Sequence, residues 1–362
     1  CCAMEWLWSN YLFYSFVFRN NKSPVYLFSI LMEIVKKIGL RILLLAVIAI
    51  ATSAIYKRYF YQSFLEKEGF LLYRLNRSVN ADYLFFSASS DYTFDSINDI
   101  DTSRVSVLTM NYCTKSVKSI AGGAHHAGVF KQLIKHIPKN TIEGIIVSFN
   151  IRSFSPKWLT GINENLLQKY TALYKPNPVL ISRLTGSLKF YPIRTQKELE
   201  QERNAYFSSW PLPYLFPKNT VKNWYSNERR FSTNDSIANI SLEYLKSFAF
   251  VINDNHSRTK DFDEIVELAK SKNLKLILHV LPENMDEARR LIGDSLTALI
   301  QANRDFAIAR YHNPTASVWV IDNLEKVRHV DFTDRDFPTE HYNQNGRTII
   351  AKSIAKQLNA IK

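Results

Sequence analysis

The sequence predicts a three-layer α/β/α fold with a doubly wound, mostly parallel five-stranded sheet. Five short apolar runs are typical of strands buried on both faces, at 83–86, 105–108, 145–149, 274–280 and 318–321. Between some of them apolar residues recur at helical spacing, at Val129, Leu133, Ile134 and Ile137 and again at Ile265, Val266, Leu268 and Ala269. Strands that alternate with helices indicate a parallel sheet covered by helices on both faces.

Length and charge restrict the class of protein and its partners. The 362 residues suffice for one large core or two modest ones, and 46% hydrophobic with 22% charged residues is ordinary for a globular chain. The net charge of +13 favours an anionic partner, such as a membrane surface or an acidic envelope glycan. Lysine and arginine are spread along the chain and no nucleic-acid-binding motif is present, so we expect no nucleic acid partner.

One apolar segment, 38–56, predicts a transmembrane anchor. Its length is close to the roughly 20 residues of a bilayer-spanning helix, and its only charge, Arg41, lies near one end. A buried core helix and a cleaved signal peptide are the alternatives. Lys36 and Lys37 before the segment indicate that this end faces the cytoplasm, although Lys57 and Arg58 follow it. We therefore expect a single-pass protein of the cytoplasmic membrane with an extracytoplasmic, periplasmic domain.

The residues before this segment are aromatic-rich and begin with two cysteines. Met32 precedes a short basic stretch that is typical of a natural start, so we expect residues 1–31 to be an upstream extension or a membrane-associated arm. If Met32 is the start, Cys113 is the single cysteine and forms no internal disulfide.

Polar residues follow the predicted strands at the edge where parallel sheets bind ligands. Ser87, Ser89 and Ser90 follow the first, Gly122 and Gly123 precede a helix after the second, and Asn150 follows the third. A serine, a glycine-bearing helix entrance and an asparagine suit acyl transfer. Serine supplies the nucleophile, and backbone amides with an amide side chain form an oxyanion hole.

The last predicted helix is preceded by an acidic cluster and His341. A histidine at such a junction can act as general base, with a nearby carboxylate to orient the ring. A surface or helix-capping role is the plainer alternative. His125 and His126 do not predict a metal site, because adjacent helical positions diverge by roughly 100° and no zinc-ligand spacing accompanies them.

The order of Ser, Gly, Asn and then acid with His on a doubly wound sheet resembles the SGNH (GDSL-type) hydrolase superfamily, which has an SGNH/flavodoxin-like fold. With one N-terminal anchor the chain is most similar to the membrane-anchored DltD-like branch. The resemblance covers roughly residues 80–358 and implies Ser89 as nucleophile, His341 as base, and Gly122 (or Gly123) and Asn150 as oxyanion-hole groups. The turn 342–346, Tyr-Asn-Gln-Asn-Gly, also matches the family.

Two positions depart from the family pattern. The first block reads Ser87-Ala88-Ser89 without the usual glycine, and Pro338 occupies the usual place of the acid, three residues before His341. The carboxylate is therefore assigned to Asp336, with Asp334 and Glu340 as alternatives. A serine that caps the following helix is an alternative reading of Ser89, and the three serines leave the choice among them open.

Two segments flank the predicted core. Residues 57–80 are expected to link the anchor to a domain at 81–362. Residues 158–239, rich in proline and aromatics, are expected to form an insertion beside the site, as a lid or acceptor-binding surface. A small satellite core that buries its own aromatics is the alternative.

Three functions are compatible with these patterns. The first is a serine acyl hydrolase or O-acyltransferase that acts on an envelope glycan, glycolipid or anionic polymer and needs no cofactor or metal. The second is a catalytically impaired SGNH-fold protein that serves as a binding or assembly partner, for example of a membrane-bound acyl donor protein. The third is a periplasmic anion-binding or structural module.

Overall fold

A computed structural model of the chain describes residues 24–61, 63, 70–159, 180, 184, 197–198, 201, 236–335 and 337–361. The chain forms two units, of which the first contains the N-terminal apolar helix and the second the α/β fold. Most of the expected insertion at 158–239 lies outside the described residues, as do Asp336 and the arm before residue 24.

The first unit contains one long helix, α1, Pro24–Tyr59, of 36 residues. From Phe28 onward its apolar side chains are almost all exposed. Length and composition suffice for a membrane span, and both a membrane anchor and a signal sequence have these properties.

The second unit confirms the predicted α/β fold with a five-stranded parallel sheet. The strands lie in the order β2-β1-β3-β4-β5, and all four neighbouring pairs are parallel. They are β1 Tyr83–Ser87, β2 Val117–Ala121, β3 Gly144–Phe149, β4 Lys275–Val280 and β5 Val318–Asp322.

The described helices of this unit are mostly short, and the first of them precedes β1. In chain order they are α2 Phe70–Ser78, α3 Val105–Met110, α4 Ala127–Ile134, α5 Pro156–Leu159, α6 Ser236–Phe248, α7 Ser257–Ser271, α8 Met285–Leu291, α9 Asp294–Tyr311 and α10 Gln344–Ala360. The two helices predicted from apolar spacing correspond to α4 and α7.

Helices cover both faces of the sheet. On one face, α3 and α10 complete an apolar cluster with the odd-numbered residues of β1, among them Tyr83 and Phe85. On the other face the ring of Phe86 lies 6.1 Å from that of Phe130 in α4. The Phe149 ring lies 4.4 Å from that of Phe262 in α7. Strands buried on both faces explain why their sequences are apolar throughout rather than alternating.

The prediction of a strand at 105–108 is wrong, because this run forms helix α3 and the second strand is 117–121. Val105, Leu108 and Thr109 are buried at helical spacing. The Asp91 carboxylate accepts the backbone N–H of Ser106 at 2.9 Å in the first turn, and this contact from outside the run stabilises the helix. Val-Lys-Ser-Ile-Ala of β2 gives a weak apolar signal because this edge strand has an exposed side chain at Lys118.

The segment 57–80, treated as a linker from sequence, contains helix α2. Leu71, Leu72 and Leu75 of this helix are buried. Arg74 donates hydrogen bonds to the carbonyl oxygens of Ala121 (3.1 Å) and Ser119 (3.0 Å) on the edge strand. This helix therefore belongs to the α/β unit.

Candidate active site

The candidate site lies at the carboxyl end of the sheet, between its two adjacent strands β1 and β3. After β1 the chain continues to β2 at one edge of the sheet, and after β3 it continues to β4 on the other side. The strand order therefore reverses between β1 and β3. Such a position opens a crevice between the loops that follow the two strands. Ser89 follows β1 and Asn150 follows β3, so the topology places both residues there.

Ser89 begins a short 3-10 turn, Ser89–Asp91, and its Oγ lies 3.0 Å from Nε2 of His341. The neighbouring serines do not share this contact. Ser87 is buried and its Oγ lies 2.8 Å from that of Ser90 and 3.1 Å from that of Ser148. Of the three serines left open by the sequence, Ser89 is therefore the one that contacts the histidine.

His341 is held on its other side by Asp334, whose Oδ2 lies 2.6 Å from Nδ1. An ionised carboxylate only accepts hydrogen bonds, so Nδ1 carries the proton in the neutral ring and Nε2 is left to accept from the Ser89 hydroxyl. In the described chain the carboxylate that contacts His341 is thus that of Asp334, one of the two alternative acids predicted from sequence. Asp336, the first choice, lies outside the described residues.

Glu340, the other alternative, contacts Ser89 and Arg152. Its Oε1 lies 3.5 Å from the Oγ of Ser89, and its Oε2 forms an ion pair with Arg152. The Glu340 side chain is only 2% exposed. Arg152 was given no role from sequence, although it stands two residues after Asn150 in the segment that follows β3.

Three groups at this edge of the sheet can donate to a developing oxyanion. Within the described chain, both amide atoms of the buried Asn150 side chain lack a hydrogen-bond partner. The Ser89 amide begins the 3-10 turn, where a backbone N–H has no partner inside the turn.

The glycine pair supplies the third group, and the two glycines differ. The Gly122 amide donates a long, 3.4 Å hydrogen bond to the carbonyl of Ser87. A Cβ at Gly122 would lie 2.0 Å from the ring of His125, so packing alone accounts for glycine there. Gly123 donates no backbone hydrogen bond within the described chain and is the better amide donor of the two.

Two buried carboxyl groups have shifted pKa values, that of Asp91 in the Ser89–Asp91 turn and that of Glu283 near Arg152. Asp91 is fully buried, and burial raises the pKa of its carboxyl although the hydroxyl of Ser119 (2.6 Å) and the amide of Ser106 donate to it. These bonds connect the turn that carries Ser89 to β2 and α3. Burial also raises the pKa of Glu283 to about 8, while nearby Arg152 opposes the shift. Glu283 is therefore largely protonated at neutral pH.

The two histidines after the glycine pair have structural contacts. Both are buried, and His126 caps α4 by accepting the Gly128 amide at 3.2 Å. Burial lowers the pKa of His125 to about 4. No group of three or more His, Cys, Asp or Glu side chains among the residues that the structure describes is arranged to hold a metal ion.

Comparison with known proteins adds little to this geometry. No protein-family model and no curated protein matches the chain. Among solved structures the chain is similar to an acetyl xylan esterase from the rumen bacterium Butyrivibrio proteoclasticus, with a TM-score of 0.27 and 10% sequence identity. The match covers 77% of this chain and 63% of that one. At such low similarity, functional conclusions depend on the site itself.

Proposed function

We propose that this protein is a serine acyl hydrolase or O-acyltransferase. The observation that carries the proposal is the chain of contacts from Ser89 Oγ to His341 Nε2 (3.0 Å) and from His341 Nδ1 to Asp334 Oδ2 (2.6 Å). It joins a nucleophile, a base and an orienting carboxylate in the relation that acyl transfer requires. The site needs no cofactor for this chemistry.

In this proposal the Ser89 oxygen attacks an ester carbonyl while its proton moves to Nε2 of His341. The tetrahedral oxyanion accepts hydrogen bonds from the amides of Ser89 and Gly123 and from the Asn150 side chain. As the ester C–O bond breaks, the alkoxide takes the proton from Nε2 and leaves as an alcohol. The acyl group is then bound to Ser89.

The second half of the reaction uses the same groups in the reverse order. Nε2 of His341 takes a proton from water or from an acceptor hydroxyl, whose oxygen attacks the acyl carbonyl. The bond to Ser89 breaks, and the proton returns to its oxygen. Asp334 stabilises the imidazolium in both halves and keeps Nδ1 protonated.

The expected substrate is an ester of an envelope glycan, glycolipid or anionic polymer outside the cytoplasmic membrane. Two observations support this part of the proposal. Helix α1 is suited to hold the chain at a membrane, and the net charge of +13 favours an anionic surface or polymer. Lys36 and Lys37 before the apolar segment favour a cytoplasmic position for its leading end, although Lys57 and Arg58 follow the segment.

The test is covalent labelling of the full chain in detergent with a fluorophosphonate, followed by intact-mass measurement. We expect one adduct on the wild type, none on Ser89→Ala, and labelling of His341→Ala slowed by at least about 100-fold, because general-base assistance contributes roughly 10²–10⁴-fold. Ser90→Ala is the matched control and should retain the adduct, since the Ser90 hydroxyl bonds to Ser87 rather than to the histidine.

The two candidate acids are separated by the same assay. Asp334→Asn should slow labelling by about 10²-fold or more, because the ring loses the carboxylate that fixes its tautomer, whereas Asp336→Asn should have a small effect. A larger loss in Asp336→Asn would reassign the acid. A folded wild type that stays unlabelled would overturn the proposal and favour a non-catalytic binding or assembly partner with this fold.

A further inference from the structure

Arg152 differs from the other buried arginines in how few of its donors are used. Arg347, which is fully buried, donates to the carbonyls of Ser103, Thr93, Tyr342 and Asp101 and to the Asp99 carboxylate. Within the described chain, the one polar contact of Arg152 is its ion pair with Glu340, and its Nε is buried without an acceptor. The ring of Trp158 lies against the guanidinium, 5.5 Å from Cζ to the ring centroid.

This guanidinium lies next to the proposed nucleophile. A single carboxylate, that of Glu340, spans the gap between them, with Oε1 3.5 Å from Ser89 Oγ and Oε2 paired with Arg152. The Arg152 side chain is 13% exposed, so it is not fully closed off from solvent. An arginine that served only to neutralise Glu340 would not need to leave a buried N–H without an acceptor, which is costly.

Among the residues that the structure describes, Glu340 is the one carboxylate paired with Arg152. Glu283 is buried nearby and largely neutral at pH 7, because desolvation raises the pKa of its carboxyl to about 8. Glu243, the other nearby carboxylate, forms ion pairs with Lys157 and Lys246. The Tyr244 hydroxyl, also close to Arg152, is buried with no hydrogen-bond partner among the described residues. The pocket therefore presents positive charge and hydrogen-bond donors.

We propose that Arg152 is a specificity-determining residue that binds an anionic group of the substrate, a carboxylate or a phosphate, close to the ester that Ser89 attacks. The inference rests on the proposed acyl-transfer function and narrows its substrate class. The planar guanidinium of Arg152 can form paired hydrogen bonds with a carboxylate or with a phosphate, and the low dielectric of a buried site strengthens these bonds. Glu340 orients the Arg152 guanidinium on one side, while the other N–H groups of Arg152 face the ligand. The Tyr244 hydroxyl supplies a further donor.

The test compares three acetyl esters of one shape, para-acetoxybenzoate, para-acetoxyphenyl phosphate and the neutral para-acetoxybenzamide. We expect the full chain in detergent to prefer at least one anionic ester over the amide in kcat/KM. The double variant Arg152→Gln/Glu340→Gln should lose about 10-fold or more of this preference, mainly through KM, because it removes both charges and leaves no unpaired carboxylate beside Ser89. The carboxylate and phosphate arms show which oxyanion the pocket takes.

Two controls keep the result interpretable. Arg289→Gln removes an arginine that is half exposed on α8 and should leave the preference unchanged. Binding of the same three compounds to the full-length Ser89→Ala variant, measured by calorimetry with and without the double substitution, reports the anion site without any chemistry. A preference for an anionic ester that depends on Arg152 in either measurement supports the proposal.

The Arg152 assignment would be overturned if the wild type and the double variant showed the same preference, or if the wild type showed none. In that case turnover of the neutral ester would still support the acyl-transfer function. The opposite outcome is also possible: the protein neither turns over the esters nor forms a fluorophosphonate adduct, yet Ser89→Ala binds an anion in a way that depends on Arg152. This result would overturn the enzymatic function and leave the anion site established.

Discussion

At the residue scale, the proposed chemistry depends on side chains that are distant in sequence. Ser89 and His341 are separated by 252 positions, and Arg152 reaches the site from a third segment. The Asp334 carboxylate is half exposed, whereas Glu340 is almost fully buried. The same acidic cluster thus places one carboxylate at the histidine and another at the arginine, and their environments give them different roles.

The pH dependence of stability provides a test of the buried acid beside Arg152. Glu283 has an ordinary pKa of 4.5 and a folded pKa of about 8. Between these values the folded state holds a proton that the unfolded chain releases, so this group contributes stability at low pH that is lost as the pH rises through the window. Glu283→Gln, which stays neutral, should therefore gain stability relative to the wild type from about pH 5 to about pH 8.

The measurement is the urea midpoint of each protein across that range. Glu267→Gln is the matched control, because Glu267 is exposed on α7 and its replacement should leave the pH profile of the wild type unchanged. Parallel profiles for the wild type and Glu283→Gln would show that the carboxyl of Glu283 titrates normally in the folded protein.

At the element scale, the position of His341 depends on how helix α10 begins. Asn343 caps the helix, its Oδ1 accepting the Gly346 amide at 3.1 Å, and its own amide donates to the carbonyl of Asp331 at 2.9 Å. A Cβ at Gly346 would lie 2.9 Å from that same carbonyl, so the close approach requires glycine. Arg347 in the first turn then bonds to the loop at 93–103, which follows the nucleophile turn.

We expect Asn343→Ala to lower the free energy of unfolding by about 1 kcal/mol through loss of the cap. Labelling of Ser89 should slow as well, because His341 stands two residues before the cap. Thermal unfolding and the fluorophosphonate rate provide the two readouts. Asn343→Ser, whose hydroxyl can accept the same amide and is also favoured at the N-cap, should retain most of both. Equal losses in the two variants would assign the effect to something other than the cap.

The element scale is also where one sequence-based prediction was wrong. The run at 105–108 is apolar and short, and such a run has no periodicity that separates a strand from a buried helix. A contact from outside the run stabilises the helix: the Ser106 amide donates a hydrogen bond to the Asp91 carboxylate. Conversely, β2 is a strand because β1 offers its free edge, although Lys118 and Ser119 make its own sequence only weakly apolar.

At the scale of the whole molecule, the apolar helix and the α/β unit have separate properties. The side chains of α1 are apolar and almost entirely exposed, which is unfavourable in water and favourable in a bilayer. The α/β unit, in contrast, has its own buried core on both faces of the sheet. Both a membrane anchor and a signal sequence have such an apolar helix.

We therefore predict that the full chain stays in the membrane pellet after extraction with alkaline carbonate and enters solution only with detergent. A variant with Leu44, Val47 and Ile48 changed to Asp should move to the soluble fraction, because charges near the centre of a span are costly. Changing exposed Leu184 to Asp serves as the control outside the helix. A wild type recovered in solution with a mature N-terminus beyond Tyr59 would instead identify the helix as a cleaved signal sequence.

The sequence by itself determined the fold class, the apolar helix and four of the five strands, with the polar residues that follow them. These properties follow from local patterns, since the apolar spacing within a few turns or one strand reports which side of each element is buried. Serine after β1, asparagine after β3 and histidine before the last helix were identified in the same way, because parallel strands bring their carboxyl ends to one edge.

Only the tertiary structure decided which of the neighbouring polar residues meet. Ser87 and Ser90 satisfy each other's hydroxyls inside the core, and this leaves Ser89 for the histidine. Asp334, seven positions before His341, reaches Nδ1 because an antiparallel bridge between Phe332 and Tyr342 brings the two segments side by side. The pairing of Arg152 with Glu340 likewise has no local signature, since it depends on where two loops from distant strands are packed and on how deeply both side chains are buried.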